Sequence, residues 1–372
     1  MGQLSIVSAD SHFLEPATLW QERLDKRFRD RGPQCYTDDD GLVMITGEDM
    51  QPQSITGWCA AGRGGVEERV ELDRMGWDAV PDECWSPEGR IKGQDRDGMM
   101  AEILYTSFGM IAMNIKDSDL AMACMRVFND YAAEFISYDK KRLIGVGACV
   151  TDDVPAAVRE IERIAKLGMK GVMLPVVLKE GESYGDTRLD PVWSAIVETG
   201  LVVSMHAGTS RQGINPKPAD WPQLYAGVHY LIQRVLTDMI FTGVFDRFPG
   251  LRIVSVENDV SWLPHYAYRM DHFAEHLFAH AKLDKVRKPS DLIRKHFFST
   301  FQFEGPGIDT VRKLMGSEAI MWGNDFPHLD STWPNSRTVI KDTLTDIMPA
   351  ADVDNIVYNN VVKLYGLEQR AA

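Results

Sequence analysis

Three short apolar runs in this chain each lead into side chains of types that bind metal ions. They are residues 4–7 before Asp10 and His12, residues 201–205 before His206, and residues 319–324 before Asp325. Residues two apart on a strand point to the same face, so Asp10 and His12 can reach a single ion. Carboxylates and imidazoles at several strand ends are what a metal site at the C-terminal face of a β/α barrel requires. We therefore predict that these side chains meet around one metal.

The donor types narrow the choice of metal. Two imidazoles and two carboxylates suit Zn²⁺, Mn²⁺ or Fe²⁺ better than Mg²⁺, and the lack of a thiolate argues against a structural zinc site. We predict one divalent transition metal and place zinc ahead of manganese and iron. Glu15 follows His12 by three positions. It is either a further ligand or an acceptor that orients a ligand imidazole. A carboxylate at the N-terminus of a helix is the alternative, which the sequence supports equally.

Two more side chains are candidates for chemistry beside the metal. Glu257 closes a predicted strand, where it could hold a water molecule or a substrate group. An ion pair with a loop arginine is the alternative for Glu257. His328 lies just beyond Asp325 in the stretch Asp-Phe-Pro-His. We predict that His328 contacts either the substrate or a ligand side chain.

The elements that must position these side chains alternate regularly. Strands are predicted at residues 4–9, 103–105, 143–150, 171–174, 201–206, 251–256, 297–301 and 320–322. Helices are predicted at 119–138, 154–167, 190–199, 229–245, 262–281, 308–315, 336–347 and 353–365. Alternation at this spacing is typical of a (β/α)8 barrel of the TIM type, here with extra C-terminal helices. A doubly wound sheet is the rival, but no Gly-rich phosphate turn follows the first strand.

Residues 20–97 form a predicted insertion after the first strand. The segment shows no long helical period, and residues 42–45 resemble a hairpin strand. Trp58, Trp77 and Trp85 favour burial over exposure. We predict that the insertion caps the active-site face or lines its pocket, within a single domain that spans residues 1–372.

Composition excludes several classes of function. The chain has 372 residues, 44% of them hydrophobic, which is enough for a large core. A formal net charge of −14 repels phosphate backbones and argues against nucleic acid. No apolar run approaches the roughly 20 residues of a membrane span, and the N-terminus lacks a signal segment. Five scattered cysteines without C-x-x-C spacing favour reduced thiols in the cytoplasm.

Motifs over most of the chain resemble those of the amidohydrolase superfamily. The similarity is to the branch related to aminocarboxymuconate semialdehyde decarboxylase, often called amidohydrolase family 2. The motifs are residues 9–16 (ADSHFLEP), 95–98 (DRDG), 205–208 (MHAG), 241–251 (FTGVFDRFPGL), 261–264 (SWLP), 323–328 (GNDFPH) and 359–367 (NNVVKLYGL). Jointly they are specific to the family, though not to one reaction.

The resemblance implies a (β/α)8 barrel with one catalytic metal, usually zinc or manganese, and Asp10, His12, His206 and Asp325 as its ligands. Two departures stand out. Many members have His-x-His after the first strand, where this chain has Asp10. Many also have a histidine after the sixth strand that transfers protons, and here that place is held by Glu257 or Asn258.

Three functions follow as hypotheses. The first is hydrolysis of a small amide, ester or lactone-like substrate by a metal-activated water, with Asp325 moving the proton. The alternative is metal-dependent, non-oxidative decarboxylation of an aromatic or unsaturated carboxylic acid. The third is a barrel that has lost catalysis and serves in binding. The expected partner is a small-molecule substrate, and apolar outer helices favour a homodimer.

Overall fold

Strands in chain order build the centre of the molecule. The computed structural model describes residues 4–213, 218–277 and 287–368. Its strands are β1 (Val7–Phe13), β2 (Gln34–Thr37), β3 (Val43–Thr46), β4 (Gln53–Ser54), β5 (Ala101–Thr106), β6 (Leu143–Ala148), β7 (Gly171–Val177), β8 (Val202–Ser210), β9 (Ile253–Val256), β10 (Phe297–Phe301) and β11 (Ile320–Trp322). Strands β1 and β5 to β11 form one eight-stranded sheet, and β2 to β4 form a separate three-stranded sheet.

The eight-stranded sheet is a barrel. Each strand pairs in parallel with the next one in the order β1, β5, β6, β7, β8, β9, β10, β11. This order never reverses, so the sheet lacks the switch point of a doubly wound fold. The chain after β11 bonds back to β1, where Asp325 N donates to Asp10 O at 2.9 Å and His12 N donates to Phe326 O at 2.6 Å. The predicted (β/α)8 barrel is confirmed.

Helices surround the barrel. They are α1 (Leu19–Arg23), α2 (Val66–Met75), α3 (Asp82–Trp85), α4 (Pro87–Asp97), α5 (Phe108–Ala112), α6 (Ser118–Ile136), α7 (Val154–Lys166), α8 (Asp190–Thr199), α9 (Trp221–Ala226), α10 (His229–Phe241), α11 (Val244–Arg247), α12 (Leu263–His276), α13 (Pro289–His296), α14 (Pro306–Met315), α15 (Ser336–Ile340), α16 (Ala350–Asp354) and α17 (Asn360–Tyr365). In the described ranges, none of them combines the length and the apolar character that crossing a bilayer demands.

The sequence explains why helix α6 begins and packs where it does. The Asp117 side chain accepts hydrogen bonds from the first free backbone N–H groups of the helix, which stabilises its start. One face of the helix is apolar and buried. Phe135 on that face stacks on Phe13 of β1 with ring centroids 4.5 Å apart. The first barrel strand is thereby held against the outer helical layer.

Several predicted boundaries were wrong for identifiable reasons. Strand β7 was expected to stop at Pro175 but continues to Val177. The pairing of β7 with β8 shifts in register between Pro175 and Val177, so the strand continues although the proline has no N–H to donate. The two closing helices contain π-helical turns at Lys341–Thr345 and Asn355–Asn359. The helix predicted at 262–281 ends at His276, and residues 278–286 lie outside the described part of the chain.

The insertion is more regular than expected. It holds the sheet β2–β4 and helices α2 and α4, so the prediction of no long helix there was wrong. Helix α2 escaped notice because its residues are mostly charged and show almost no apolar face. The insertion contacts the chain beyond β11, since Leu329 N donates to Gly57 O at 3.0 Å and Ala61 N donates to Pro327 O at 3.1 Å. Its role as a cap stays a prediction.

A buried ion pair ties β8 to the loop after β6. Two guanidinium nitrogens of Arg211 donate to the two carboxylate oxygens of Asp152, at 3.1 and 2.6 Å. Lys179 Nζ lies 2.8 Å from the same carboxylate. Burial alone would raise the pKa of Asp152, but the hydrogen bonds from Arg211 and Lys179 lower it to about 2. The carboxylate is therefore ionised and stabilising at neutral pH.

We expect Asp152→Asn to lower the free energy of unfolding by about 3–5 kcal/mol at pH 7, because it leaves the Arg211 charge buried without its partner. The folded pKa lies below the ordinary value of 3.8, so this stabilisation is present above pH 4 and is lost as the pH falls toward 2. Urea unfolding at pH 7 and at lower pH measures both. As a control, Lys179→Met removes the charge of a side chain that is 34% exposed and should cost under about 1 kcal/mol. Equal losses in the two variants would contradict the assignment.

Candidate metal centre

The four predicted ligand side chains lie together at the carboxyl ends of the barrel strands. Asp10, His12, His206 and Asp325 are each at most 1% exposed. The Nε2 atoms of His12 and His206 are 3.0 Å apart. Asp10 Oδ1 lies 3.6 Å from His12 Nε2 and 3.5 Å from His206 Nε2. Asp325 Oδ1 lies 3.5 Å from His12 Nε2.

These donors form two overlapping groups. Within the described residues, Asp10, His12 and His206 make one group, and His12, Asp325 and His328 make the other. In each group the donor atoms lie within 4.8 Å of one another. His12 belongs to both groups, so it occupies the centre of the arrangement.

The hydrogen bonds of the two central imidazoles settle their tautomers. His12 Nδ1 lies 2.7 Å from Thr106 O, and His206 Nδ1 lies 2.9 Å from Ala207 O. A carbonyl oxygen only accepts, so both Nδ1 atoms carry the proton. Neutral rings would then face each other through two Nε2 lone pairs at 3.0 Å. A positive charge, either a proton or a metal ion, is needed between them.

The two carboxylates of the site also require a positive charge nearby. Both oxygens of Asp10 and both oxygens of Asp325 are buried without a well-formed hydrogen bond from any described residue. The contacts of Asp10 with His12 and His206 are at ion-pair rather than hydrogen-bond distance. Buried charged oxygens are normally hydrogen-bonded, paired or bound to a metal. The donor set therefore fits a divalent cation held by carboxylate oxygen and imidazole nitrogen.

The pKa shifts show which of these buried groups carries a proton and which carries a charge. Burial lowers the pKa of His12 to about 3, helped by the charge of His328. Burial alone would also lower the pKa of His206, but Asp10 raises it to about 9. Burial and the neighbouring Asp10 charge raise the pKa of Asp325 well above its ordinary value. Protonated His206 and ionised Asp10 thus make one charge pair, whose proton a bound cation would replace.

Asn324 joins the first strand to the loop that carries Asp325. Its Oδ1 accepts from Ser8 Oγ at 3.1 Å and Ser11 Oγ at 2.7 Å. The following residue, Asp325, has a φ of +54°, a left-handed backbone that is costly for a non-glycine residue. The role of Ser8 and Ser11 was not predicted from the sequence. Their signal was two hydroxyls in a strand that is otherwise suited to burial.

Of the two residues in the place of the family histidine, only Glu257 faces the site. Its Oε2 lies 3.6 Å from His206 Nδ1, a longer contact than the 2.9 Å bond of that nitrogen to Ala207 O. The Asn258 amide instead donates to the carbonyls of Val256 and Met205, at 2.7 and 3.3 Å. The Glu257 side chain is 30% exposed, so it can reach a bound molecule.

His328 connects Asp325 to the insertion. Its Nδ1 lies 3.0 Å from Asp325 Oδ1, and its Nε2 lies 3.4 Å from Ser107 Oγ. The ring of Trp58, in the insertion, meets His328 edge-on with centroids 5.1 Å apart. Sequence analysis did not single out Ser107, because a serine after a buried strand carries no distinctive signal by itself.

Glu15 belongs to neither donor group. Its carboxylate accepts hydrogen bonds from Phe108 N at 2.9 Å, from Gly109 N at 3.4 Å and from the Thr106 hydroxyl. Burial raises the pKa of Glu15 to about 7, against these donors, which favour the ionised form. Glu15 thus contacts no imidazole directly, and its bonds to Phe108 N and Gly109 N correspond to the alternative of a carboxylate at a helix N-terminus.

Comparison with known proteins establishes the family. The family model described as Amidohydrolase matches residues 17–367. The chain therefore belongs to the amidohydrolase family, as its motifs predicted. It is a metal-dependent enzyme, either a hydrolase or a carboxy-lyase, and the hypothesis of a non-catalytic barrel is set aside.

Two curated relatives match much of the chain. The 2-amino-3-carboxymuconate-6-semialdehyde decarboxylase of Dictyostelium discoideum is 23% identical over 304 residues, which is 81% of this chain and 82% of the relative. The gamma-resorcylate decarboxylase of Rhodococcus jostii (strain RHA1) is 24% identical over 259 residues, which is 64% of this chain and 76% of the relative.

Solved structures share the fold. An amidohydrolase from Mycobacterium avium subsp. paratuberculosis K-10 has a TM-score of 0.78 and 20% identity, covering 98% of this chain and 100% of that one. The 5-carboxyvanillate decarboxylase of Novosphingobium aromaticivorans DSM 12444, solved with manganese and 4-hydroxy-3-methoxy-5-nitrobenzoic acid, has a TM-score of 0.70 and 20% identity. It covers 98% of this chain and 96% of that one.

These relatives correct the leading functional hypothesis. We expected hydrolysis of an amide, ester or lactone, but the two curated relatives described above are decarboxylases. The hydrolase prediction was wrong because it rested on ligand types alone. A metal held by carboxylates and imidazoles can activate water or bind a carboxylate, so the ligands do not select between the two reactions.

We expect Asp10→Ala to weaken divalent-metal binding by more than the roughly 10–100-fold that follows loss of an outer hydrogen-bond partner of a ligand. The reason is that Asp10 Oδ1 lies near both central imidazoles. Competition against a chromophoric chelator measures the affinity. Glu257→Gln is the comparison variant, since Glu257 contacts the ligand His206 from outside both donor groups and should weaken metal binding by no more than that outer-partner range. Equal weakening in both variants would argue against Asp10 as a ligand.

Proposed function

We propose that the protein is a metal-dependent carboxy-lyase that releases carbon dioxide, without oxidation, from an aromatic or conjugated unsaturated carboxylic acid. The observation that carries this proposal is that two curated relatives, which align with 81% and 64% of the chain, are decarboxylases. We expect an oxygen substituent beside the carboxylate of the substrate. Two oxygens on neighbouring atoms could then face the donor cluster together.

Asp10, His12, His206 and Asp325 would hold the metal in this proposal. The bound ion would supply positive charge that orients the substrate carboxylate and its neighbouring oxygen. We propose manganese ahead of zinc, because half of the donors are hard carboxylate oxygens and a decarboxylase of the same fold was solved with manganese. Reconstitution of chelator-treated protein with each metal in turn compares the two ions.

Asp325 is the proposed proton donor. When the bond between the substrate carbon and its carboxylate breaks, the electron pair remains on the carbon, carbon dioxide leaves, and a proton must be delivered to that carbon. Asp325 lies fully buried among the donors, and His328 Nδ1 is 3.0 Å from its Oδ1. We propose that Asp325 gives the proton and that His328 orients its carboxyl group.

Aromatic side chains beside His328 suit a planar substrate. Trp58 meets both His328 and Phe108 edge-on, with ring centroids 5.1 and 6.2 Å apart. We propose that this aromatic cluster packs against the substrate ring. Glu257 approaches from the other side, next to His206, and we propose that it accepts a hydrogen bond from a substrate N–H or O–H group.

We expect decarboxylation to place solvent hydrogen on carbon. The protein, loaded with manganese or zinc, is incubated in deuterium oxide with γ-resorcylate or 5-carboxyvanillate, and NMR and mass spectrometry follow the product. One deuterium on the former carboxyl-bearing carbon and stoichiometric carbon dioxide are the expected result. Hydrolysis of an ester or lactone panel with oxygen uptake from labelled water, and no carbon dioxide from any acid, would overturn the proposal.

We expect Asp325→Asn to lower kcat for decarboxylation by about 10²–10⁴-fold, because the amide cannot deliver a proton and is a poorer metal ligand. Steady-state kinetics and metal content are measured together, so the two effects are separated at saturating metal. Asp291→Asn is the control, since Asp291 is exposed and pairs with Arg294 away from the site. A kcat for Asp325→Asn within a few-fold of wild type would remove Asp325 from the mechanism.

A further inference from the structure

Glu15 is a fully buried carboxylate that the proposed mechanism does not use. It is 0% exposed, and none of the ion pairs among the described residues involves it. Its oxygens accept from the backbone N–H groups of Phe108 and Gly109 and from the Thr106 hydroxyl. All three donors belong to residues 106–109, the turn that links β5 to α5.

This turn touches two histidines of the candidate site. The Thr106 carbonyl accepts from His12 Nδ1 at 2.7 Å. The Ser107 hydroxyl lies 3.4 Å from His328 Nε2. One backbone turn therefore contacts the outward-facing nitrogen of each ring. The inward-facing nitrogens are His12 Nε2, beside His206, and His328 Nδ1, beside Asp325.

We infer that Glu15 is a positioning residue, which sets the orientation and tautomer of His12, and the orientation of His328, through the turn at residues 106–109. By fixing the Thr106 carbonyl, it keeps the His12 proton on Nδ1 and leaves the Nε2 lone pair for a metal. By fixing Ser107, it keeps His328 turned toward Asp325. The metal-binding part of this inference rests on the proposed function.

A carboxylate is the side chain best suited to this task. Three donors converge on Glu15, and an ionised carboxylate accepts at every lone pair without donating. A glutamine at this place would turn an N–H group toward at least one of these donors. Burial of a carboxylate without a cationic partner is costly. Groups that orient metal ligands from outside are often needed for tight metal binding, and Glu15 could offset this cost in that way.

The competing explanation is that Glu15 only stabilises the start of α5. That role predicts a loss of stability and no specific effect on His12. The two explanations differ in three measurements: metal affinity, the His12 tautomer, and the response of kcat against that of KM. Each is compared with thermal stability measured on the same variant.

The experiment compares Glu15→Gln, Thr106→Val and Thr106→Ser with wild type. We expect Glu15→Gln to weaken manganese and zinc binding about 10–100-fold and to lower kcat more than KM. In metal-free protein labelled with ¹⁵N-histidine, His12 should change from the Nδ1-protonated tautomer to a mixture. Its resonance is assigned by its loss in His12→Gln. Thr106→Ser keeps the hydroxyl and should behave like wild type, whereas Thr106→Val should fall between.

Glu160→Gln is the matched control. Glu160 is 2% exposed and bonds to Asn129 and Arg163 away from the site, so its loss should lower stability without changing metal affinity or the His12 tautomer. If Glu15→Gln does not fold, Thr106→Val carries the same test. A wild-type tautomer and metal affinity in a folded Glu15→Gln or Thr106→Val would overturn the inference. If wild type binds no metal, the proposed function fails, and the tautomer in metal-free protein still decides the role of Glu15.

Discussion

The contact between the two central imidazoles constrains the whole site. Backbone carbonyls hold the proton of each ring on Nδ1, and the two Nε2 atoms lie 3.0 Å apart. Two lone pairs at that distance repel each other unless a positive charge lies between them. The carboxylates of Asp10 and Asp325 beside them lack well-formed hydrogen bonds and likewise require a positive charge. A protein does not bury such an arrangement for stability, because burying a carboxylate without a well-formed hydrogen bond is costly.

Closure of the barrel is what brings these groups together. Asp10 and Asp325 lie on opposite sides of the seam between the first and last strands, where Asp325 N donates to Asp10 O. Beneath them, Arg90 pairs with Glu102 at 2.6 Å, and the Asn324 amide lies 3.3 Å from Glu102. These buried polar groups cross-link the insertion helix α4, strand β5 and the loop after β11. The site and the barrel seam are thus stabilised by one network, and damage to either should affect both.

Much of this could be predicted from the sequence, for simple reasons. Parallel strands are buried on both faces and appear as continuous apolar runs. The barrel strands and the residues at their ends could therefore be located in the sequence. Asp10, His12, His206 and Asp325 could be grouped because strand ends meet at one face of a barrel. Helix α2 could not be predicted, since its residues are mostly charged and show almost no apolar periodicity. The contacts of Ser107 and Glu15 depend on a turn geometry that no local pattern encodes.

The choice of reaction is the part that the ligand set cannot decide. Hydrolysis and decarboxylation both need a cation beside a group that moves a proton, and Asp10, His12, His206 and Asp325 could serve either. The difference must come from what reaches the cation. A hydrolase must admit and orient a water molecule, whereas a carboxy-lyase must orient the substrate carboxylate and place the carbon that receives the proton beside a proton donor. Here Asp325 is 0% exposed, and Trp58 and Phe108 form an aromatic cluster beside His328. The proposed proton donor is thus buried close to aromatic side chains, which suits the proposed decarboxylation of a planar acid and agrees with the relatives.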